Sequence, residues 1–259
     1  MSVEIKLPDL CLVALVGVSG SGKSTFAARH FAPTEVVSSD FCRALVADDA
    51  NDQAATNAAF EVLHTIAAKR LESGRIVVID ATSVRPDDRA PLVELAKRHH
   101  VFAVAIVLDV PPEVCEARNA TRSDRDFGSH VIRNQRNALR RTLKGIRREG
   151  FRRVYVLHGT DDIDNATVER ERLWTDKRDQ TGPFDIIGDI HGCHAELVAL
   201  LRALGWEVNA DGTDATHARG RIAVFLGDLV DRGPGVAAVL RLVMNMVAAG
   251  RALCIPGNH

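Results

Sequence analysis

The 259-residue chain has no long apolar run, no surplus of either charge and no paired cysteines. Nowhere does an apolar stretch approach the roughly 18 residues that cross a bilayer, and Met1–Leu10 carries acids and a proline, so no membrane partner is expected. Lys plus Arg number 33 and Asp plus Glu 34, a formal charge of −1. That balance excludes a uniformly basic nucleic-acid coat but permits a local basic patch. The five cysteines, Cys11, Cys42, Cys115, Cys193 and Cys254, are scattered without a CxxC pair. Such usage suits thiols in a reducing compartment, and a cytoplasmic location is the expectation. Nothing is low-complexity and no motif repeats. What is present is ordinary: 46% hydrophobic and 26% charged positions exclude wholesale disorder.

Apolar runs at Leu10–Val16, Glu35–Val37, Arg75–Ile79, Val101–Leu108 and Arg153–Leu157 alternate with helical spacing such as Phe60, Leu63, Ile66, Ala67 and Leu71. Strands buried on both faces and separated by helices predict a parallel α/β sheet with flanking helices. The pattern breaks over Asp161–Gly182, which is polar and ends in Thr181-Gly182-Pro183. A second α/β alternation follows, with strands at Phe184–Ile187, Arg221–Leu226 and Ala252–Ile255. The expected organisation is therefore a first domain over 1–170, a linker over 171–182 and a second, incomplete domain over 183–259.

Gly17-Val18-Ser19-Gly20-Ser21-Gly22-Lys23-Ser24 fits GxxxxGK[ST] between a strand and a helical run. Glycines let the backbone amides face a phosphate, and the helix N-terminus adds partial positive charge. Gly17, Ser19, Gly20, Ser21, Gly22, Lys23, Ser24 and Thr25 are thus the expected nucleotide-binding residues. Lys23 reaches the β- and γ-phosphates of ATP and the Ser24 hydroxyl holds Mg²⁺. Asp40 follows the next strand, where a carboxylate can take the proton of an attacking hydroxyl or simply cap a helix. Arg43, one turn later, either holds an anionic group of the acceptor or is a solvated charge. Asp80 ends a strand and has three readings: Mg²⁺ through water, orientation of Arg43, or a cap. Asp109 reads as a cap or turn residue.

Residues 118–153 hold eleven Arg and one Lys against three acids, a local charge of +9. A phosphate-rich partner explains that imbalance better than a solvated face. Arg118, Arg122 and Arg125 precede the helical part and can close over donor phosphates.

Three further blocks each follow a strand: Gly188-Asp189-Ile190-His191-Gly192, Gly227-Asp228-Leu229-Val230-Asp231-Arg232-Gly233-Pro234, and Gly257-Asn258-His259. Asp189 and His191 suit one divalent ion, Asp228 can bridge to a second, and Asn258 can bind that second ion. His259 is placed to protonate a leaving oxygen and Arg232 to clamp a phosphate. His194 reads as a helix surface residue.

The second half resembles the calcineurin-like metallophosphoesterases, and the first half a polynucleotide 5′-kinase, through GVSGSGKST, Ser39-Asp40-Phe41-Cys42-Arg43, Ile79-Asp80-Ala81-Thr82 and the arginine-rich segment. The order of the two halves resembles the bacterial polynucleotide kinase-phosphatases of RNA repair. That resemblance implies Lys23 and Ser24 serving the donor, Asp40 as general base, and Arg118 and Arg125 on donor phosphates. It also implies 5′-hydroxyl ends of RNA, ahead of DNA, as acceptors, a divalent pair such as Mn²⁺ in the phosphatase half, and a ligase domain beyond residue 259. Family phosphatases draw two more histidine ligands from downstream of GNH, so the expectation is an active kinase and an inactive phosphatase. Two other readings remain open. One is a small-molecule kinase fused to a dinucleoside-polyphosphate or protein phosphatase; the other is a non-catalytic, ATP-gated RNA-end-binding module.

Overall fold

Strands that are apolar at every position need cover on both faces, and helices supply it. The computed structural model describes residues 3–121, 129–173 and 175–259 and contains two units, Met1–Asp176 and Lys177–His259. The elements of the first unit are β1 (Glu4–Pro8), β2 (Cys11–Val16), α1 (Lys23–His30), β3 (Val36–Ser38), α2 (Ser39–Ala47), α3 (Thr56–Glu72) and β4 (Val77–Asp80). They continue with α4 (Pro86–Arg98), β5 (Phe102–Asp109), α5 (Pro112–Ala120), α6 (Ser129–Gly145), β6 (Arg153–His158), α7 (Gly159–Asn165) and β7 (Thr167–Glu171). Five strands form a parallel sheet in the order β3-β4-β2-β5-β6. The architecture is the α/β class that the alternation predicts.

The chain leaves β2 toward β3 and β4 on one side and then returns to β5 and β6 on the other. The carboxyl end of β2 is therefore a topological switch point, where open α/β sheets build their sites. All six side chains of β2 and all four of β4 are buried. Helix α3 covers the sheet with Ala59, Leu63, Ala67 and Leu71, one buried residue per turn. It stops at Ser73, where Gly74 takes φ 67° and its N–H donates to the Leu71 carbonyl at 3.0 Å.

One buried cation ties three segments together. Arg89 on α4 has no solvent exposure. Its Nε and Nη2 donate to the Glu149 carboxylate at 2.7 and 2.6 Å, and Nη1 donates to the Ser83 carbonyl at 2.7 Å. Thr142 of α6 accepts from Arg89 Nη2 at 3.1 Å and donates to the Val84 carbonyl at 2.7 Å. The loop after β4, helix α4 and helix α6 thus share one satisfied network.

Two features depart from the sequence reading. Met1–Leu10 contains a strand, and Asp161–Gly182 is not patternless: most of α7 and all of β7 fall in it. β1 and β7 pair in parallel, Ile5 opposite Val168. Ile5, Leu7 and Pro8 of β1 are buried, and Val168 is the one apolar residue of β7. Ion pairs support this ribbon, Arg170 to Glu35 at 2.9 Å and Arg153 to Glu171 at 2.6 Å. Charges at Glu4 and Lys6 in β1 and at Glu169, Arg170 and Glu171 in β7 hid both strands from a search for apolar runs.

The second unit contains β8 (Phe184–Ile187), α8 (His194–Ala203), β9 (Trp206–Val208), β10 (Ala215–His217), β11 (Ile222–Phe225), α9 (Val236–Ala248) and β12 (Ala252–Cys254). β12, β11 and β8 form a parallel sheet in that order, while β9 and β10 form a separate antiparallel pair. Asp185 is buried and accepts from Arg221 Nε at 2.9 Å and from Trp206 Nε1 at 2.9 Å. The Arg221 guanidinium, aided by the Trp206 indole, holds this carboxyl below its usual value against the opposing effect of burial.

Replacing Arg89 tests the network in the first unit. Arg89→Met strands the Glu149 carboxylate and the Ser83 carbonyl, and breaking a buried pair from one side costs about 3–5 kcal/mol. Urea unfolding of the variant is expected to show a midpoint lowered accordingly, with an unchanged slope.

Candidate active site

After β2 the chain must turn sharply, and the turn supplies the phosphate loop. Gly20 and Gly22 take φ of 82° and 95°, the left-handed region that costs other residues energy. A Cβ on Gly20 would lie 2.5 Å from the Cys115 carbonyl oxygen of α5. The loop is thus packed directly on the next helix as well as twisted. Gln135 of α6 accepts from the Ser19 N–H at 2.8 Å, and Asn119 of α5 donates to the Ser19 carbonyl at 3.1 Å. Ser21 is fully buried and Lys23 nearly so. Lys23 Nζ donates to the carbonyls of Gly17 and Val18 at 2.9 and 3.0 Å, folded back across the loop mouth.

A cavity of about 250 Å³ opens over this loop, bordered by Lys23, Ser24, Thr25, Asp40, Asp80 and Arg118 among others. The Arg118 guanidinium donates to the Gly20 carbonyl at 3.5 Å. Arg122 and Arg125 lie outside the described residues. Asp80 is buried at the end of β4.

Asp40 sits in the first turn of α2, whose N-terminus is capped by the Ser38 hydroxyl accepting from the Phe41 N–H at 3.4 Å. The cap is thus Ser38, and the Asp40 carboxylate points elsewhere. Arg43 Nη1 donates to Asp40 Oδ1 at 3.0 Å and to the Ala50 carbonyl at 2.7 Å. Arg43 is only 7% exposed, so it is no solvated charge; it fixes the Asp40 carboxylate from one side. A second cavity, about 490 Å³, is bordered by Arg43, Phe60, Arg85, His130, Asn134 and Gln135 among others. Ser19, Ser39, Asp40 and Thr82 border both cavities. Asp40 therefore stands at the junction of two chambers.

Asp109 departs from its reading as a cap. Its carboxylate accepts from Arg136 Nη1 at 2.6 Å and lies 3.2 Å from His158 Nδ1. Arg136 and Arg153 of the basic segment are thus engaged by acids from outside it, a balance that counting charges within the segment missed.

In the second unit Asp189, His191 and Asp228 bring their ligand atoms within 4.8 Å of one another. The geometry rests on unusual backbone: φ is 47° at His191, 43° at Asp228, 66° at Asp231 and 63° at Arg232. The Asp228 carbonyl accepts from the N–H groups of Ile190 and His191 at 3.1 and 2.7 Å, stitching the two loops together. His191 Nδ1 is 3.0 Å from the Val230 carbonyl, which orients the ring and directs Nε2 toward Asp228 Oδ2 at 4.0 Å. The backbone N–H groups of His259 and Asn258 hold the Asp228 carboxyl below its usual value, with burial opposing. Such strain, 1–3 kcal/mol at each position on a general scale of roughly that size, concentrates at functional loops.

The His259 ring lies edge-on to His191, centroids 5.4 Å apart, and its Nδ1 is 3.0 Å from Asp231. Asp231 was not singled out by sequence, although it stands in the same block as Asp228. Asn258 and Arg232 are exposed, and among the described residues no side-chain hydrogen bond joins Arg232 to the cluster. His194 is apart from it, its Nε2 2.8 Å from the Gly212 carbonyl.

Residues 12–146 match the family described as AAA domain, and residues 182–259 match the calcineurin-like phosphoesterase family. The second segment is similar to two curated proteins named bis(5′-nucleosyl)-tetraphosphatase PrpE (asymmetrical). Identity is 50% over 76 residues for that of Halalkalibacterium halodurans and 45% over 76 residues for that of Bacillus subtilis. Each alignment covers 29% of this chain and 30% of the relative; the chain spans about 30% of the length of the curated relatives it matches. Among solved structures, a chain of the Pnkp1/Rnl/Hen1 RNA repair complex aligns with 100% of this chain and 81% of its own, at 16% identity and a TM-score of 0.46. The Mycobacterium tuberculosis APS kinase CysC, bound to AMPPNP and APS, aligns over 61% of this chain and 95% of its own, at 18% identity and a TM-score of 0.40. No helix among the described residues is long and apolar enough to cross a membrane.

The loop geometry gives a direct test. Gly20→Ala must either leave φ 82° or push α5 away from the loop. A stability loss of about 1–2 kcal/mol is expected, together with at least tenfold weaker ATP binding by calorimetry.

Proposed function

The chain belongs to the AAA domain family, and on that premise we propose that its first unit transfers the γ-phosphate of ATP to the 5′-hydroxyl end of a polynucleotide. The observation that carries this reading is the position of Asp40, shared by a chamber over the phosphate loop and a larger chamber beyond it. A donor in the first and a hydroxyl entering from the second meet at one carboxylate. Arg43 and Arg85 border the second chamber, and the helix that forms one of its walls belongs to the +9 segment; both support a polyanionic acceptor.

ATP phosphates rest against the loop amides and the N-terminus of α1. Lys23 turns from the Gly17 and Val18 carbonyls to the β- and γ-phosphates. Asp40, oriented by Arg43, accepts the proton of the acceptor hydroxyl. The oxygen attacks the γ-phosphorus in line, the bond to the β–γ bridging oxygen breaks, and ADP leaves with that electron pair. Arg118, with Arg122 and Arg125, contacts the donor phosphates. Ser24 and Asp80 present hard oxygen donors to the same chamber, a set that fits Mg²⁺. Bound there, the ion offsets phosphate charge.

For the second unit we read a phosphate-ester hydrolase centre. The mixed nitrogen and oxygen donors of Asp189, His191 and Asp228, with Asn258 beside them, fit a divalent pair such as Mn²⁺, which withdraws charge from a phosphate when bound. His259, oriented by Asp231, gives a proton to the leaving oxygen, and Arg232 clamps the phosphate. A specific observation favours a second reading of its substrate: the PrpE matches point to a dinucleoside polyphosphate rather than a nucleic-acid end.

Incubation with γ-labelled ATP and oligonucleotides bearing 5′-hydroxyl or 5′-phosphate ends tests the first reading; label must enter only the former. Asp40→Asn is expected to lower kcat by about 10²–10⁴ while leaving ATP affinity within twofold. Lys23→Met removes electrostatic stabilisation worth roughly 3–4 kcal/mol. Turnover near wild type in Asp40→Asn would remove the general-base assignment.

For the second unit, Asp228→Asn is expected to weaken Mn²⁺ binding at least tenfold by calorimetry, with the fold intact by circular dichroism. Parallel assays on diadenosine tetraphosphate and on phosphate-ended oligonucleotides separate the two substrate readings.

A further inference from the structure

The proposed acceptor chamber leaves open where the rest of the acceptor goes. Helix α6 borders that chamber with His130 and Asn134 and buries Ile132, Ala138, Leu139 and Thr142 on its inner side. Its outer side carries Arg133, Arg140, Arg141 and Lys144, all exposed, and the turn at Ile146–Arg148 extends it with Arg147 and Arg148, also exposed. Among the described residues, none of these six cations makes an ion pair with a carboxylate. The acids nearby are committed: Glu149 to Arg89, and Asp109 to Arg136 and His158. The face is a continuous basic strip that begins at the chamber mouth. Unpaired cations in a row are held together against their own repulsion, an arrangement that a polyanion relieves.

Beyond Arg147 the strip reaches a second feature. A groove of about 310 Å³ is bordered by Arg147, Phe151, Arg152 and Tyr155 among others. Arg152 lies over the Phe102 ring, 5.5 Å from its centroid, and Phe102 is 40% exposed. A guanidinium stacked on an exposed ring offers a flat surface beside the positive strip, the combination that single-stranded nucleic acid uses for bases and phosphates.

Resting on the kinase reading above, we infer that the α6 face is an extended single-strand track: the acceptor's 5′ end lies at Asp40, and its 3′-ward nucleotides run from His130 and Asn134 along Arg140, Arg141 and Lys144 to Arg147 and Arg148. From Asn134 to Gly145 the helix rises about 1.5 Å per residue, and the following turn about 2 Å per residue. The strip is thus roughly 22 Å long, about six stacked nucleotides at 3.4 Å each. The acceptor is therefore a strand, recognised by its phosphates over several positions.

The experiment uses the full chain and 5′-hydroxyl homopolymers of two to twelve nucleotides. Wild-type kcat/KM is expected to rise at least tenfold between two and about six nucleotides and then level off. The quadruple variant R140Q/R141Q/R147Q/R148Q is expected to lose that rise and to keep the dinucleotide value within twofold. Binding of a 3′-labelled octamer, read by anisotropy without ATP, should show a log–log salt slope shallower by about 3, since each single-strand phosphate contributes about 0.7. A length-independent wild type, or an unchanged slope in the variant, overturns the track while leaving the kinase reading intact. Equal competition by polyglutamate also overturns it, in favour of an acidic protein partner. A slope that changes as expected with no label transferred to any acceptor sustains the track and removes the kinase reading instead.

Discussion

The first unit depends on the burial of β2. Every side chain of this strand is inside, and both of its edges are paired, to β4 and β5. A strand so enclosed has one free direction, out of its carboxyl end. The turn there has to be tight, because Leu108 and α5 crowd it: a Cβ on Gly17 would lie 3.1 Å from the Leu108 carbonyl oxygen and one on Gly20 2.5 Å from that of Cys115. Glycine satisfies that space and, at Gly20 and Gly22, the left-handed φ. The amides left over by the turn are what a phosphate finds. Burial of Leu12, Val13, Leu15 and Val16, at about 1.5–3 kcal/mol each, thus sustains a loop that would not hold its shape in isolation.

The same register places the residues that face the loop. β3 pairs with β4, Ser38 opposite Asp80, so the two strands end together and deliver Ser38, Asp40 and Asp80 to one edge. Because Ser38 caps α2, Asp40 is released from capping and is gripped instead by Arg43. Neither residue needs a long loop to reach the junction of the two chambers. In the second unit the devices are different: the ligand loops are held by paired backbone bonds to the Asp228 carbonyl and by left-handed residues other than glycine.

Much of this was legible from sequence for a physical reason. The phosphate loop and the three carboxyl-edge blocks are local: a strand, a turn and its ligand-type residues lie within a dozen positions, so spacing alone reports them. The cluster of Asp189, His191 and Asp228 follows from that locality. The misreadings came from partners distant in sequence. β7 is charged at most positions and shows as a strand only against β1, more than 150 residues earlier. Arg43 is not among these misreadings: its two readings are an anion holder and a solvated charge, and burial against Asp40 and the Ala50 carbonyl, both close in sequence, removes the second. Asp109 looks like a cap until Arg136 arrives from α6. The orientation of His191 depends on the Val230 carbonyl, which no side-chain motif records.

Arg89 connects these levels. A guanidinium without any exposure is costly unless its nitrogens are bonded, and here all three donate, to Ser83, Thr142 and Glu149. Two of those partners matter for the site. Ser83 lies in the loop that lines the larger chamber, and Thr142 is on the helix that forms its other wall. Thr142 also donates to Val84, so the wall and the loop are bonded directly as well as through the cation. Like charges on the outer face of α6 repel one another along the helix and do nothing to seat it on the sheet. Anchoring its inner face through a charged, directional network, rather than through apolar contacts alone, fixes both its height and its rotation. The chamber can then keep a constant width beside Asp40 while the outer face stays open and positive.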